Sequence, residues 1–213
     1  MVDLKNIKDF CNNRKIIIVG NSSRILQGSY GSLIDTYEIV VRINRGYQPN
    51  DLYRNFLGSK TTILSLGVKS QSFATRIVLG NNVTYILCPI IYSDRLSYTN
   101  THHVEKEEYQ LLKQELGGTK PSTGIATFNF FNQLNNFERL DLIGFDFFES
   151  SGPHRNQLGH LRVPDHQGRK EESFFEKTRD PQRSLLHNMP AGGPPHNNIP
   201  RIGSQIRYKA RRK

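Results

Sequence analysis

The sequence contains little that would support a disulfide scaffold, a metal cluster or a membrane span. Its 213 residues include two cysteines, Cys11 and Cys88, which fit neither a small disulfide-bonded fold nor a set of metal ligands. No apolar stretch approaches the roughly 20 residues that a membrane-spanning helix needs. The first ten residues, MVDLKNIKDF, lack the apolar core of a signal peptide, which predicts either a cytoplasmic protein or a trimmed chain.

Acidic residues are absent from the last part of the chain. The protein has a formal charge of +10, from 29 Lys and Arg against 19 Asp and Glu. No acidic residue follows Asp180, whereas seven basic residues do, so residues 1–180 hold 22 basic and 19 acidic residues and a net charge of only +3. We therefore predict a single domain at 1–180 and a basic tail, rich in proline and glycine, at 181–213.

The basic tail favours two kinds of partner. Its uncompensated charges, with Tyr208 available for stacking, are typical of a nucleic-acid-binding protein. The body has neither a basic excess nor the aromatic strand of an RNA-binding fold, so nucleic acid is the alternative function. The cluster at 201–213 equally favours peripheral contact with the inner face of an anionic membrane, or a solvated tail without a partner.

The apolar segments predict an α/β fold. Short runs rich in β-branched residues and bounded by turn residues are typical of buried strands, and they lie at 15–20, 38–43, 61–66, 83–87 and 139–145. Helices are predicted between them, at 105–116 and 122–134, with a weaker candidate at 71–77. Strands that alternate with helices form a mainly parallel sheet covered on both faces, and its ligands bind beyond the carboxyl ends of the strands.

Polar residues follow the first two predicted strands. The first strand continues into Gly20, Asn21 and Ser22, whose N–H groups and amide can approach a phosphate, a base or a ribose. The second ends with Arg42 and Asn44, which are two residues apart and would share one face. An ordinary turn and a buried ion pair of Arg42 are the structural alternatives. The glycine spacing matches neither the dinucleotide fingerprint nor a P-loop.

A second group of polar residues opens the helix at 122–134. Ser122, Thr123 and Gly124 offer two hydroxyls and the first N–H groups of a helix, an arrangement that favours a carboxylate or a phosphate. A hydroxyl at this place can also serve as the N-cap. Both roles are compatible, because one hydroxyl can cap the helix while the other contacts a ligand.

Three histidines, His154, His160 and His166, follow the last predicted strand. Their spacings of six match no metal-ligand motif, and no Asp-x-Asp motif is present, so we predict neither a metal nor a cofactor. An imidazole can instead take a proton from a hydroxyl near neutral pH. His166 precedes a helical pattern whose dipole would keep the ring neutral; an ordinary surface histidine is the alternative.

Several of these segments resemble the motifs of the eukaryotic-type sialyltransferases, glycosyltransferase family 29. VGNSS at 19–23, YGSLIDTYEIVVRIN at 30–44 and LGSKTT at 57–62 are similar to the large motif of that family. PSTGIATFNFF at 121–131 and LDLIGFD at 140–146 resemble the small motif, and His166 with Glu171 resembles the very small motif. The segments follow the family's order and span most of 11–176. Bacterial sialyltransferases of the Campylobacter type share a looser version.

The resemblance implies a fold, a reaction and a set of site residues. The fold would be Rossmann-like, a variant of the GT-A fold, and the protein would be an inverting, metal-independent glycosyltransferase. Its donor would be a CMP-activated 2-keto sugar acid, either sialic acid or Kdo, and its acceptor a hydroxyl of a glycan or glycolipid. His166 would be the general base. Either His154 or His160 would meet the leaving phosphate, and His154 is the choice because it lies nearer the end of the fifth predicted strand. The CMP-sugar would be bound by Gly20, Asn21, Ser22, Asn44, Ser122, Thr123, Gly124 and Asp146.

The chain also departs from that family. The resemblance implies a disulfide between the large and small motifs, with Cys11 as one partner, yet the segment NNFER before Leu140 has no cysteine. Asp146 replaces a glycine of the eukaryotic motif, and no Golgi anchor is present. These departures predict a bacterial or viral member from a reducing cytoplasm.

Overall fold

The computed structural model describes residues 3–44, 53–67, 83–90, 98, 100–145, 147 and 168–178. The helix predicted at 71–77 and the tail predicted at 181–213 lie outside these residues, as do Asp146 and all three histidines discussed above. The strands of the described part are β1 Lys15–Val19, β2 Ile39–Ile43, β3 Ile63–Ser65, β4 Tyr85–Cys88, β5 Thr101–His103 and β6 Arg139–Ile143.

These strands form one six-stranded sheet in the order β5-β4-β3-β2-β1-β6, and all the pairs are parallel. β1 lies in the interior, where Ile16 is in register with Ile39 on one side and Leu140 on the other. The predicted α/β fold with a parallel sheet is therefore confirmed, and each of the five predicted strands is present with bounds that differ by at most two residues. β5 was not predicted, because its sequence, Thr-His-His, contains no apolar run.

The helices precede, separate and follow the strands along the chain. They are α1 Leu4–Cys11, α2 Gly31–Asp35, α3 Arg54–Leu57, α4 Lys106–Glu115, α5 Thr123–Leu134 and α6 Gly168–Thr178, with a short 3-10 helix at Ser23–Gln27. α4 and α5 confirm the two strong helix predictions, and Ser122 is the N-cap of α5. Within the described ranges, we find no helix with the length and apolar character that crossing a membrane requires.

Both faces of the sheet are covered by apolar side chains. On one face, Ile16, Ile18 and Val41 pack in a large core with residues of α1, α4, α5 and α6. On the other face, Ile17 and Val40 pack in a smaller core with the 3-10 helix, α2 and α3. Because α5 and α6 share one face, the two helices that carry small-motif and very-small-motif residues are direct neighbours; Phe128 and Phe175 have ring centroids 4.8 Å apart.

α1 and the segment that joins it to β1 are hydrogen-bonded to the segment that joins α5 to β6. The amide Nδ2 of Asn136 donates to the carbonyl of Lys8 at 2.6 Å, and the N–H of Asn13 donates to the carbonyl of Asn136 at 2.9 Å. Cys11 and Cys88 are both buried and free. The two segments are thus connected by hydrogen bonds, with no disulfide.

Candidate functional site

The candidate site lies where the strand order of the sheet reverses. From β1 the chain proceeds through β2 to β5 on one side, whereas β6 lies on the other side of β1. The carboxyl ends of parallel strands at such a switch point form the usual ligand crevice of an open α/β sheet. Gly20, Asn44 and Gly144 are the residues that directly follow β1, β2 and β6 at this edge.

Gly20 allows the exits of β1 and β6 to approach each other closely. Its N–H donates to the carbonyl of Ile143 at 2.7 Å, and the N–H of Ser22 donates to the carbonyl of Gly144 at 2.9 Å. A Cβ atom on Gly20 would collide with the carbonyl of Gly144. The glycine is therefore required for packing between the strand exits, whether or not a ligand is bound.

Asn21 connects the loop that follows β1 to the last residue of β2. Its side-chain Nδ2 donates to the carbonyl of Ile43 at 3.1 Å, and the residue is half-buried. This bond uses one of the two amide hydrogens and none of the oxygen's capacity to accept. The arrangement fixes the amide at the carboxyl edge of the sheet.

Asn44 connects three elements of the site. It has a positive φ of 52°, and its Oδ1 accepts from the N–H of Gly67, after β3, at 2.7 Å. Its Nδ2 donates to Thr123 Oγ1 at the start of α5 at 3.2 Å. A Cβ on Gly67 would collide with Thr123, so the three residues are closely packed.

The prediction that Arg42 and Asn44 share a face is wrong. β2 ends at Ile43, and the backbone of Asn44 has a left-handed conformation. The alternation of side chains between the two faces of the strand therefore does not extend to Asn44. Arg42 is buried, and its Nη2 donates to the carbonyl of Leu57 at 2.7 Å while its Nε donates to that of Lys60 at 3.0 Å. Burial lowers the pKa of Arg42 to about 10, and the carboxylate of Asp35 opposes this shift. Arg42 thus binds the segment at 57–61 through hydrogen bonds from its guanidinium group.

The N-terminus of α5 is bound by a carboxylate from α6. Ser122 caps α5 by accepting from the N–H of Ile125 at 3.2 Å, and its hydroxyl donates to Glu171 Oε2 at 2.6 Å. The N–H of Ser122 donates to Glu171 Oε1 at 2.7 Å. Glu171 is only 3% exposed, and burial raises its pKa, while the two hydrogen bonds from Ser122 oppose the rise. The Ser122 hydroxyl is thus engaged twice within the protein.

A buried polar network lies below the first turn of α5. Thr127 Oγ1 donates to the carbonyl of Thr123 at 2.6 Å and lies 2.6 Å from Ser65 Oγ on β3. Both Thr127 and Ser65 are fully buried. These bonds fix the first turn of α5 to the sheet, and the N–H groups of Thr123 and Gly124 are first-turn donors that no intrahelical carbonyl can satisfy.

α6 has two further attachments near the site. Lys170 Nζ donates to Thr119 Oγ1, in the α4–α5 connection, at 3.0 Å. A Cβ on Gly168 would collide with the carbonyl of Phe147, which follows β6. Together with the Glu171–Ser122 bonds, these contacts place the start of α6 between the exit of β6 and the N-terminus of α5.

Seven of the predicted site residues come together at this edge of the sheet. They are Gly20, Asn21, Ser22, Asn44, Ser122, Thr123 and Gly124. Asp146, His154 and His166 lie outside the described residues, so their predicted roles stay predictions. Among the residues that the structure describes, no three His, Cys, Asp or Glu side chains are grouped as metal ligands.

Sequence reasoning missed Phe145 and Gly67. Phe145 is half-buried and lies between Gly20 and Gly124, with a ring carbon 2.9 Å from the place of a Cβ on either glycine. Phe145 could have been predicted as a site residue, because it is an aromatic residue directly after the glycine that follows β6. Nothing in the sequence around Gly67 indicated its bond to Asn44, since the two residues are 23 positions apart.

Comparison with known proteins identifies a family for this arrangement. The model of Glycosyltransferase family 29 (sialyltransferase) matches residues 5–137. The CMP-N-acetylneuraminate-beta-galactosamide-alpha-2,3-sialyltransferases 4 of Rattus norvegicus and Mus musculus are each 36% identical over 30% of this chain and 19% of their own. The corresponding alpha-2,3-sialyltransferase 1 of Pan troglodytes is 29% identical over 62% of this chain and 44% of its own. The chain thus spans less than half the length of these curated relatives.

Solved structures show the same fold. Two crystal structures of a mammalian sialyltransferase, one of them in complex with Gal-beta-1-3GalNAc-ortho-nitrophenol, superimpose with a TM-score of 0.54. Sequence identity is 18%, and the match covers 84% of this chain and 71% of that chain.

Proposed function

The chain belongs to glycosyltransferase family 29, the sialyltransferases, and we propose that it transfers a 2-keto sugar acid from a CMP donor to a hydroxyl of a glycan or glycolipid. The observation that carries the proposal is the pair of bonds from Ser122 to Glu171. They attach the helix that follows His166 to a helix N-terminus suited to bind a phosphate.

The donor site proposed here uses the first turn of α5 and the loop after β1. The N–H groups of Thr123 and Gly124 would donate hydrogen bonds to the CMP phosphate, because first-turn donors and the helix dipole favour an anion. Asn21 would contact the base or ribose with the amide atoms that its bond to Ile43 leaves available. Asn44, whose amide is bonded to Gly67 and Thr123, would contribute through its remaining N–H.

The proposed general base is His166. A single residue, Gln167, separates it from Gly168, which packs on the backbone of Phe147 at the exit of β6. Five residues after His166, Glu171 binds Ser122. His166 is thus joined by a short covalent link to the part of α6 that lies beside the donor site, which supports its assignment to the acceptor hydroxyl.

The reaction proposed is a single displacement without a metal. His166 takes the proton of the acceptor hydroxyl while the acceptor oxygen forms a bond to the anomeric carbon of the sugar acid. The bond from that carbon to the phosphate oxygen breaks, and CMP leaves with the electron pair. Attack from the face opposite CMP inverts the configuration. Negative charge grows on the phosphate, where the N–H groups of α5 and, in this proposal, His154 would stabilise it.

Sialic acid is the favoured donor sugar, and Kdo is the second candidate. The names of the curated relatives contain CMP-N-acetylneuraminate, the activated form of a sialic acid. Kdo is also a 2-keto acid carried on CMP, and both would present the same carboxylate, anomeric carbon and phosphate to the residues discussed above. Transfer assays with the two CMP-sugars in parallel would separate them.

The experiment that tests the proposal compares His166→Ala with His160→Ala in a binding assay and a transfer assay. The wild type should gain melting temperature with CMP and not with UDP, GDP or NAD, with little dependence on salt. His166→Ala should keep the CMP shift and lose transfer from CMP-sialic acid, about 10²–10⁴-fold for loss of a general base. His160→Ala, six residues earlier, should transfer at close to the wild-type rate.

Two results would contradict parts of this proposal. Transfer by His166→Ala at the wild-type rate would remove the base assignment. Absence of a CMP shift, together with binding of single-stranded nucleic acid that falls steeply between low and moderate salt, would favour the nucleic-acid alternative instead.

A further inference from the structure

The ring of Phe145 bridges the two loops of the candidate donor site. Its Cδ2 lies 2.9 Å from the position that a Cβ on Gly20 would occupy, and its Cε1 lies 2.9 Å from that on Gly124. Cδ2 and Cε1 are opposite atoms of the six-membered ring. One edge of the ring therefore faces the loop after β1, and the opposite edge faces the first turn of α5.

The two glycines differ in which other atoms an added Cβ would contact. At Gly124, of the described residues beyond its own helix, the ring alone would lie close to a Cβ, since the next atoms, Ile43 Cδ1 and Ser122 Oγ, lie at the ordinary contact distance of 3.6 Å. At Gly20 a Cβ would also collide with the backbone carbonyl of Gly144. A smaller side chain at position 145 would thus make room for a Cβ at 124 and would not make room for one at 20.

We propose that Phe145 is a positioning residue, which sets the distance between the loop at 20–22 and the N-terminus of α5 so that both reach one CMP molecule. The inference rests on the proposed function, because it takes CMP as the ligand of these two segments. The rigid ring fills the space between the segments from side to side. A flexible aliphatic side chain would let α5 shift toward β1 and would misplace the first-turn N–H groups.

The inference predicts a rescue that depends on which glycine is changed. Gly124→Ala should weaken CMP binding, because its Cβ pushes the ring. Adding Phe145→Leu should recover much of that loss, since the ring is the group that the new Cβ would press against at 2.9 Å among the described residues. Gly20→Ala should also weaken CMP binding, and Phe145→Leu should not recover it.

The test measures CMP affinity by calorimetry, well below the melting temperature of each full-length variant. Phe145→Leu alone should weaken CMP about tenfold, given that a misplacement of about 1 Å costs up to about 10²-fold in a positioned site. Phe145→Tyr keeps the ring, so its dissociation constant for CMP should stay within about twofold of the wild-type value, a difference of less than about 0.5 kcal/mol. The melting temperature without ligand reports the packing separately.

Each outcome decides a different point. If the wild type does not bind CMP, the proposed function fails. If the wild type binds CMP and Phe145→Leu retains wild-type affinity, the role of Phe145 is wrong while the proposed function stands. If Phe145→Leu weakens CMP but fails to rescue Gly124→Ala, or rescues Gly20→Ala equally, the ring does not set the distance between the segments and the inference is overturned.

Discussion

Glu171 is a buried carboxylate at the N-terminus of a neighbouring helix, and both of its oxygens accept hydrogen bonds from Ser122. The dipole of α5 favours the ionised form, whereas burial disfavours it. Burial is the larger effect, and the pKa of Glu171 is raised above its ordinary 4.5. The folded protein therefore holds a proton on this group at pH values where the unfolded chain has lost it.

This difference predicts a pH dependence of stability. Because the pKa of Glu171 is higher in the folded state, proton binding favours folding. This contribution to stability is complete below pH 4.5 and is lost as the pH rises through the pKa of the folded state. The free energy of unfolding of the wild type, minus that of Glu171→Gln, should therefore fall with rising pH, by at most about 1.4 kcal/mol per pH unit. Denaturant titrations at a series of pH values measure it.

Glu172→Gln serves as the control for this prediction, because it lies on the same helix and leaves the Glu171–Ser122 contact intact. Its stability should keep the pH dependence that Glu171 confers. A difference between wild type and Glu171→Gln that rises with pH would mean that the hydrogen bonds from Ser122 outweigh burial.

Single residues of the site could be predicted by type and place, and their partners could not. Asn44 was predicted at the carboxyl edge because it follows an apolar run, which is a local property of the sequence. Its left-handed φ and its bonds to Gly67 and Thr123 depend on segments 23 and 79 residues away. For the same reason the strand pattern misplaced Arg42 relative to Asn44, since alternation ends where the strand does.

At the scale of elements, α1 is attached to the small-motif side of the molecule through the segment at 135–138. Asn136 makes this contact with its side chain to Lys8 and with its backbone to Asn13. α1 itself buries Ile7 and Cys11, four residues apart, against the sheet. This helix was not predicted, because eight residues with two core positions form a weak periodic pattern.

Replacing Asn136 should loosen this attachment. Asn136→Ala removes the bond from Nδ2 to the Lys8 carbonyl and keeps the backbone bond, so we expect it to lower the free energy of unfolding by about 1 kcal/mol. Gln133→Ala, on the exposed side of α5, should change it by less than about 0.5 kcal/mol. Equal effects of the two variants in urea titrations would show that the side-chain bond contributes nothing.

At the scale of the molecule, the sheet is parallel, and the apolar core on one of its faces is larger than the core on the other. The site lies at the edge of the sheet where β1, β2 and β6 end. Strand composition was sufficient to predict five of the six strands and the class of fold. The order of the strands was not predicted, because parallel neighbours are set by crossover packing between distant segments. β5 lacked any apolar signal and emerged only from its pairing with β4.

The basic tail gives a prediction at this scale. Residues 201–213 contain six Arg and Lys, each worth about 1 kcal/mol near an anionic lipid surface. Deleting 201–213 should abolish sedimentation with phosphatidylserine vesicles and leave the CMP-induced rise in melting temperature unchanged. Neutral phosphatidylcholine vesicles are the control and should bind neither form. Equal sedimentation of the full chain and the shortened chain would exclude the tail as a membrane contact.

The free thiols bear on how the protein can be produced. Cys11 and Cys88 are buried, and burial raises the pKa of each to about 12, so the reactive thiolate is scarce at neutral pH. Hydrogen bonds at Asn136 make the connection between the α1–β1 and α5–β6 segments without an oxidation step. Recombinant expression in a reducing host therefore needs no disulfide isomerase and no oxidative refolding.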